Sequence, residues 1–152
     1  MDYLDQLESE SVYILREAYR TIHPLGMLWS LGKDSNVMLW LARKAFLGRV
    51  PFPVVHVDTG KKFPEMYAFR DQYEEDWRLN LICGDCPPIE VIDASLPPAA
   101  RSAARKTEGL KALMAKEEFA GVFAGIRRDE QAVRAKERVF SPRGLDAEWE
   151  QH

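Results

Sequence analysis

Ser30-Leu31-Gly32-Lys33-Asp34-Ser35 lies between a short apolar run, Leu25 to Trp29, and a segment in which Val37, Met38, Leu41, Ala42 and Ala45 recur at helical spacing. A strand that empties through a small polar turn into an amphipathic helix is the opening of a βαβ unit. Gly48 and Pro51 close the helix. The pattern then repeats. Pro53-Val54-Val55-His56-Val57 is β-branched and apolar, as a strand buried on both faces requires. Its polar exit is Asp58-Thr59-Gly60-Lys61-Lys62. Pro64 and Glu65 suit the first turn of a further helix with the apolar stripe Met66, Phe69, Tyr73 and Trp77.

Leu79 to Ile82 reads as a third strand, Arg105 to Glu117 as a helix, and Gly121-Val122-Phe123-Ala124 as a fourth strand. From Cys83 to Ala104 the prolines at 87, 88, 97 and 98 predict a long loop with little regular structure. Upstream, Leu4, Leu7, Ser11, Ile14, Leu15, Ala18 and Ile22 give an N-terminal helix that His23-Pro24 and Gly26 terminate. Alternating strands and helices predict an α/β domain with a parallel sheet. Such sheets bind ligands beyond the carboxyl ends of their strands. Three of the four strands empty there into loops dense in Gly, Lys, Arg, Asp, Ser or Thr.

The 152 residues suit one ordinary domain, and 46% hydrophobic with 30% charged residues excludes a disordered chain. No apolar run approaches the roughly 20 residues of a membrane span. A net charge of −3 argues against broad nucleic-acid binding. A local basic cluster, Arg127, Arg128, Arg134, Lys136 and Arg138, stands near the C-terminus. Met1-Asp2-Tyr3-Leu4-Asp5 lacks a basic-then-apolar leader, so no secretion signal is expected. Cys83 and Cys86 cannot staple a domain of this size, which places the chain in a reducing cytoplasm. Residues 1–143 are expected to form the domain, and 144–152, polar and without an apolar period, a tail or truncated loop.

The loop at 30–35 has the parts of an anion site. A helix start offers unpaired N–H groups and the positive end of the helix dipole. Gly32 permits close backbone approach, Ser30 and Ser35 add hydroxyls, and Lys33 adds charge. A plain βα turn with an Asp or Ser cap explains the same string. Asp34 after Lys33 breaks the Walker A spelling, and a dinucleotide fingerprint lacks its three spaced glycines.

What remains resembles the PP-loop of the adenine nucleotide α-hydrolase superfamily, Ser-Gly-Gly-x-Asp-Ser, with Leu31 in place of the first glycine. That variant is similar to the small catalytic subunit of bacterial two-subunit ATP sulfurylase. The resemblance extends through Leu41-Ala42-Arg43-Lys44-Ala45-Phe46, Pro51-Phe52-Pro53, His56-Val57-Asp58-Thr59-Gly60 and Glu65-Met66-Tyr67. It continues in Lys106-Thr107-Glu108-Gly109-Leu110-Lys111, Arg127-Arg128-Asp129-Glu130 and Arg134-Ala135-Lys136-Glu137-Arg138, and fades after Ser141-Pro142-Arg143. It implies a Rossmann-like parallel sheet with helices on both faces and an N-terminal helix before the PP-loop strand. The implied activity is sulfate adenylation, ATP plus sulfate giving adenosine 5′-phosphosulfate and pyrophosphate, with Mg²⁺ held mainly by ATP and a GTPase large subunit as partner.

On that resemblance Ser30, Gly32, Lys33 and Ser35 would hold the pyrophosphate leaving group. Asp34 would orient the loop or reach Mg²⁺, or act as a helix cap. His56, Asp58 and Thr59 fall where the family places base and ribose, although a strand histidine satisfied by backbone explains His56 equally. Arg127 and Arg128 are expected to neutralise phosphate and sulfate, with Arg134 and Lys136 as further contacts or as solvated surface. Cys83-Gly84-Asp85-Cys86 departs from the family. Paired cysteines suit a tRNA-thiolating PP-loop enzyme, or two loop cysteines without a role. A sulfonucleotide reductase is opposed by the lack of any cysteine after Cys86. A non-catalytic ATP-binding module stays open.

Overall fold

The computed structural model describes residues 2–125 and Phe140. Helix α1 (Tyr3–Thr21) starts at an Asp2 cap whose carboxylate accepts the Asp5 N–H at 2.8 Å. Strand β1 (Leu25–Leu28) leads to α2 (Lys33–Ala45), β2 (Val54–Asp58), α3 (Pro64–Asp76) and β3 (Leu81–Asp85). A 3₁₀ turn at Ile89–Val91 precedes α4 (Pro98–Glu117) and β4 (Gly121–Phe123).

The four strands form one parallel sheet in the order β3-β2-β1-β4. The chain steps outward from β1 to β2 to β3, and α4 then carries it back to the far side of β1. Right-handed crossovers therefore put α2 and α3 on one face and α4 on the other. The strand parity agrees. Leu25, Met27, Trp29 and Val54 join Leu15 and Ala18 of α1 and Leu39, Ala42 and Ala45 of α2 in one buried core. Gly84 and Val57 instead face Leu113 and Gly109 of α4.

Several expectations are corrected. β3 runs on through Cys83, Gly84 and Asp85, because their backbones pair with His56, Val57 and Asp58 of β2; a ladder needs main-chain groups, not apolar side chains. α4 begins at Pro98, not Arg105: a proline at the first helical position loses an N–H that had no intrahelical partner. Val37 is 57% exposed, and Leu39 holds the core position on α2. Leu4 is 73% exposed, since a 19-residue helix of about 28 Å outruns a four-residue strand. Among the described residues no helix is long and apolar enough to cross a membrane.

Candidate nucleotide site

β1 marks the point where the chain leaves to one side by α2 and returns on the other by α4, so the crevice outside its carboxyl end is the expected ligand position. The loop after β1 occupies it. Gly32 is the cap of α2 and makes no side-chain cap bond. Lys33 and Asp34 lie exposed in the first turn. The cap reading of Asp34 is thereby removed, and its carboxylate sits at the positive end of the helix dipole. The first-turn N–H groups lack intrahelical acceptors. Ser30 and Ser35 are cross-bonded, their hydroxyl oxygens 3.0 Å apart, with the Ser35 hydroxyl donating to the Gly32 carbonyl at 3.1 Å. Leu31 has φ +69°, the left-handed region, which costs a leucine about 1–2 kcal/mol. Its side chain, 8% exposed, joins the core and offsets that cost.

At the exit of β2, Asp58 accepts the Gly60 N–H at 2.8 Å and the Tyr67 hydroxyl at 2.7 Å. Burial pushes the Asp58 carboxyl up, but these two donors, with His56 and Lys62, outweigh it and hold it below the usual carboxylate range. The Tyr67 hydroxyl is pushed up in turn by its bond to Asp58. The Thr59 carbonyl accepts from Arg105 of α4 at 2.9 Å, and the same guanidinium reaches the Pro87 carbonyl at 2.6 Å. Arg105 thus ties the loops leaving β2 and β3 together. Lys62 sits among Asp58, Lys106 and Arg70, its pKa lowered by burial first and by the neighbouring cations, against Asp58.

His56 is fully buried, with Nδ1 2.9 Å from the Trp29 carbonyl. A carbonyl accepts only, so Nδ1 carries the proton and Nε2, without a partner among the described residues, is the bare acceptor. Burial lowers its pKa most, the Trp29 bond opposing and Lys62 and Arg70 adding, so the ring is neutral. It lies beneath the loop, against the backbone that feeds Ser30.

Arg127, Arg128, Arg134 and Lys136 lie outside the described residues. Gly125, where β4 hands over to that segment, packs on the loop: a Cβ built there would sit 3.6 Å from the Asp34 carbonyl carbon. Cys83 and Cys86 are free and face opposite sides of the sheet. Cys83 is on the α3 side near Arg70; Cys86 is buried against α4, its Sγ 3.4 Å from a Cβ built on Gly109. Partial cover pushes the Cys83 thiol up while Arg70 pulls it down. Among the described residues no group of three or more His, Cys, Asp or Glu side chains is placed to hold a metal. An open cavity of about 530 Å³, lined by Arg16, Phe46, Leu47, Arg49 and Pro51, lies at the opposite end of the sheet.

Sequence reasoning missed Arg105 and Tyr67 as site-shaping residues. Tyr67 was within reach, because the first turn of α3 must abut the β2 exit. Arg105 carries no spacing signal, since its acceptors are backbone carbonyls 46 and 18 residues away.

The fold is similar to that of the phosphoadenylyl-sulfate reductase of Candida auris, with a TM-score of 0.59 and 18% identity over 82% of this chain and 67% of that one. It is likewise similar to the FMN adenylyltransferase of Candida glabrata solved with ATP, with a TM-score of 0.60 and 16% identity over 88% of this chain and 43% of that one. At such identities the likeness is one of fold. Sequence relatives are nearer. Sulfate adenylyltransferase subunit 2 of Pseudomonas syringae pv. syringae is 47% identical over 99% of this chain and 50% of its own length. The same subunit of Zymomonas mobilis is 46% identical over 99% and 51%. The chain spans about half the length of these curated relatives. A model of the phosphoadenosine phosphosulfate reductase domain matches residues 24–150, most of the chain, and the protein belongs to that family.

Proposed function

We propose that the chain carries the nucleotide site of a sulfate adenylyltransferase small subunit, joining sulfate to the α-phosphate of ATP with release of pyrophosphate. The observation that carries this reading is the loop at 30–35. It lies at the switch point of the sheet with Lys33 and Asp34 exposed in the first turn of α2, in a chain 46–47% identical to that subunit.

In this reading a sulfate oxygen attacks the α-phosphorus, the bond to the β-phosphate oxygen breaks, and its electron pair leaves on pyrophosphate. Sulfate is already anionic, so no proton transfer is required, and positioning with charge neutralisation supplies the rate. Lys33, the N–H groups of the first turn of α2, and the Ser30 and Ser35 hydroxyls receive the departing pyrophosphate. The serines now bond within the loop and re-aim toward the ligand. Asp58, ionised at neutral pH, and Thr59 take the ribose and base end; His56 supports them from below. Arg127 and Arg128 follow Gly125 by two and three residues in the sequence. They bring the sulfate and the α-phosphate together against their mutual repulsion, with Arg134 and Lys136 as outer contacts. Asp34 is the one carboxylate of the loop. A Mg²⁺ ion commonly uses one or two carboxylates besides substrate phosphates, so the donor set fits a magnesium ion held mainly by ATP, where it would neutralise phosphate charge.

The reading includes a GTPase large subunit as partner, which the relatives' designation as subunit 2 supports, and a cytoplasmic setting. The thiolation reading loses its support, because cysteines on opposite faces of the sheet do not act as a pair. The test is pyrophosphate release with ATP, Mg²⁺ and sulfate, with and without the GTPase subunit, beside ATP calorimetry. Sulfate-dependent release is expected. Lys33→Ala should weaken ATP binding tenfold or more through loss of a charge-assisted contact, and unchanged affinity would remove the phosphate loop from the reading. ATP binding with no release under sulfate would make this a binding module.

A further inference from the structure

We infer that Asn36 and Trp29 form a latch that holds the phosphate loop in its anion-binding conformation. This rests on the reading of residues 30–35 as the ATP phosphate site. Neither side chain is placed to touch phosphate; both are positioning residues. Trp29 is 1% exposed, and its indole N–H donates to Asn36 Oδ1 at 2.7 Å. Because the indole only donates, the amide orientation is fixed. Asn36 Nδ2 is left to donate to the Leu31 carbonyl at 3.4 Å. The Asn36 backbone N–H meanwhile takes the Gly32 carbonyl at 2.9 Å. One residue of α2 therefore grips two successive carbonyls of the loop. From the sheet side, His56 Nδ1–H holds the Trp29 carbonyl, so Trp29 is fixed at both its backbone and its ring.

The grip matters because of what stands at position 31. A leucine at φ +69° is biased against that conformation by a factor of about five to thirty, where a glycine carries almost no bias. The loop has two backbone states, and only the held one aims the N–H groups of the first turn of α2 at a common point. Apparent affinity falls by the fraction of molecules that are held. The latch supplies the opposing preference, which lets Leu31 keep its buried side chain and still present the loop.

The test measures ATP affinity by calorimetry in a four-member set: wild type, Asn36→Ala, Leu31→Gly and the double variant. Asn36→Ala should weaken ATP binding about tenfold in the Leu31 protein and less than about threefold in the Leu31→Gly protein. Trp29→Phe, which removes the N–H together with part of the buried ring, should weaken it too, and again less in the Leu31→Gly protein. A purely structural role would give equal losses in both backgrounds, and that result, or an unchanged affinity in Asn36→Ala, overturns the latch. A second measurement needs neither ATP nor the glycine variant. The ¹³Cα and ¹³Cβ shifts of Leu31 in ligand-free protein report the sign of its φ. They should leave the left-handed pattern in Asn36→Ala while those of Leu39 and Ala42 stay in place. Leu31 shifts that do not move refute the latch even if the wild type binds no ATP, an outcome that would separately sink the phosphate-site reading.

Discussion

Gly109 lies in the interior of α4, where alanine is favoured over glycine by about 1 kcal/mol, so Gly109→Ala would ordinarily stabilise the helix. The structure predicts the opposite. A Cβ on Gly109 would meet Val57 Cγ1 at 2.9 Å, the Cys86 Cα at 3.3 Å and its Sγ at 3.4 Å. Carbon atoms pack best at about 3.5–4.0 Å. One contact is therefore short by about half an ångström, and another is backbone that cannot swing aside. Val57 is β-branched and stiff at χ1, so it does not give way cheaply. Relief requires α4 to lift from the sheet, and overpacking of this kind costs about 1–3 kcal/mol. Set against the helix gain, the net loss is about 0–2 kcal/mol, a fall of up to a few degrees in Tm for a chain of this length.

The lift has a functional reading as well. Arg105 lies one turn before Gly109, and its bonds to the Thr59 and Pro87 carbonyls lengthen as α4 moves. ATP affinity should weaken together with Tm. Gly84 supplies the contrast: a Cβ there would run into Leu113 Cδ1, the far end of a flexible side chain. Leu113→Ala should therefore relieve Gly84→Ala and do nothing for Gly109→Ala. Thermal unfolding and calorimetry on these variants decide the matter. A rise in Tm for Gly109→Ala with unchanged ATP affinity would refute the close-approach argument.

Two further outcomes are expected. His56 has a folded pKa below its ordinary 6.5, so the unfolded chain binds the extra proton first; stability is full above 6.5 and is lost as pH falls from there to the folded pKa. The unfolding free energy should slope downward over that window, and His56→Gln should flatten the slope; an unchanged slope would mean the ring is not held neutral. Thiol labelling of the native protein should modify Cys83 and spare Cys86 until unfolding, and mild oxidation should form no bond between them. A native Cys83–Cys86 disulfide would contradict their placement on opposite faces of the sheet.

Periodicity made the architecture legible. β2 is a run of β-branched residues, α2 and α3 carry helical stripes, and the order strand, polar turn, helix leaves few topologies. Reading failed where a neighbour, not the local sequence, decides. Cys83-Gly84-Asp85 is strand because β2 is beside it. Pro97-Pro98 looks like a breaker yet starts a helix, because only the second proline is inside it. Residue types alone pointed to the loop at 30–35 as a candidate anion site. Its holding parts were not legible, since Arg105 and the Asn36 amide act on backbone carbonyls, which every residue has.

Leu31 shows why this distinction has energetic content. Four described non-glycine residues have positive φ: Leu31, Leu47, Arg78 and Glu118. Leu47 and Arg78 follow the caps of α2 and α3, and Glu118 caps α4. There a left-handed residue closes the last turn and satisfies its carbonyls, a common end for any helix. Leu31 alone among them precedes a helix, where no such gain exists, and its cost must be met by surrounding structure. His56, bonded to the carbonyl two residues before Leu31, is buried with an acceptor nitrogen that has no partner among the described residues, a second local penalty. Both sit at the carboxyl end of β1 and β2, while the opposite end of the sheet, around Phe46 and Phe52, is ordinary apolar packing. A fold selected for stability alone would relax either feature, with a glycine at 31 or an apolar residue at 56. Their coincidence under one loop is what a preorganised anion site requires: N–H groups aimed before the ligand arrives, held by groups that never touch it.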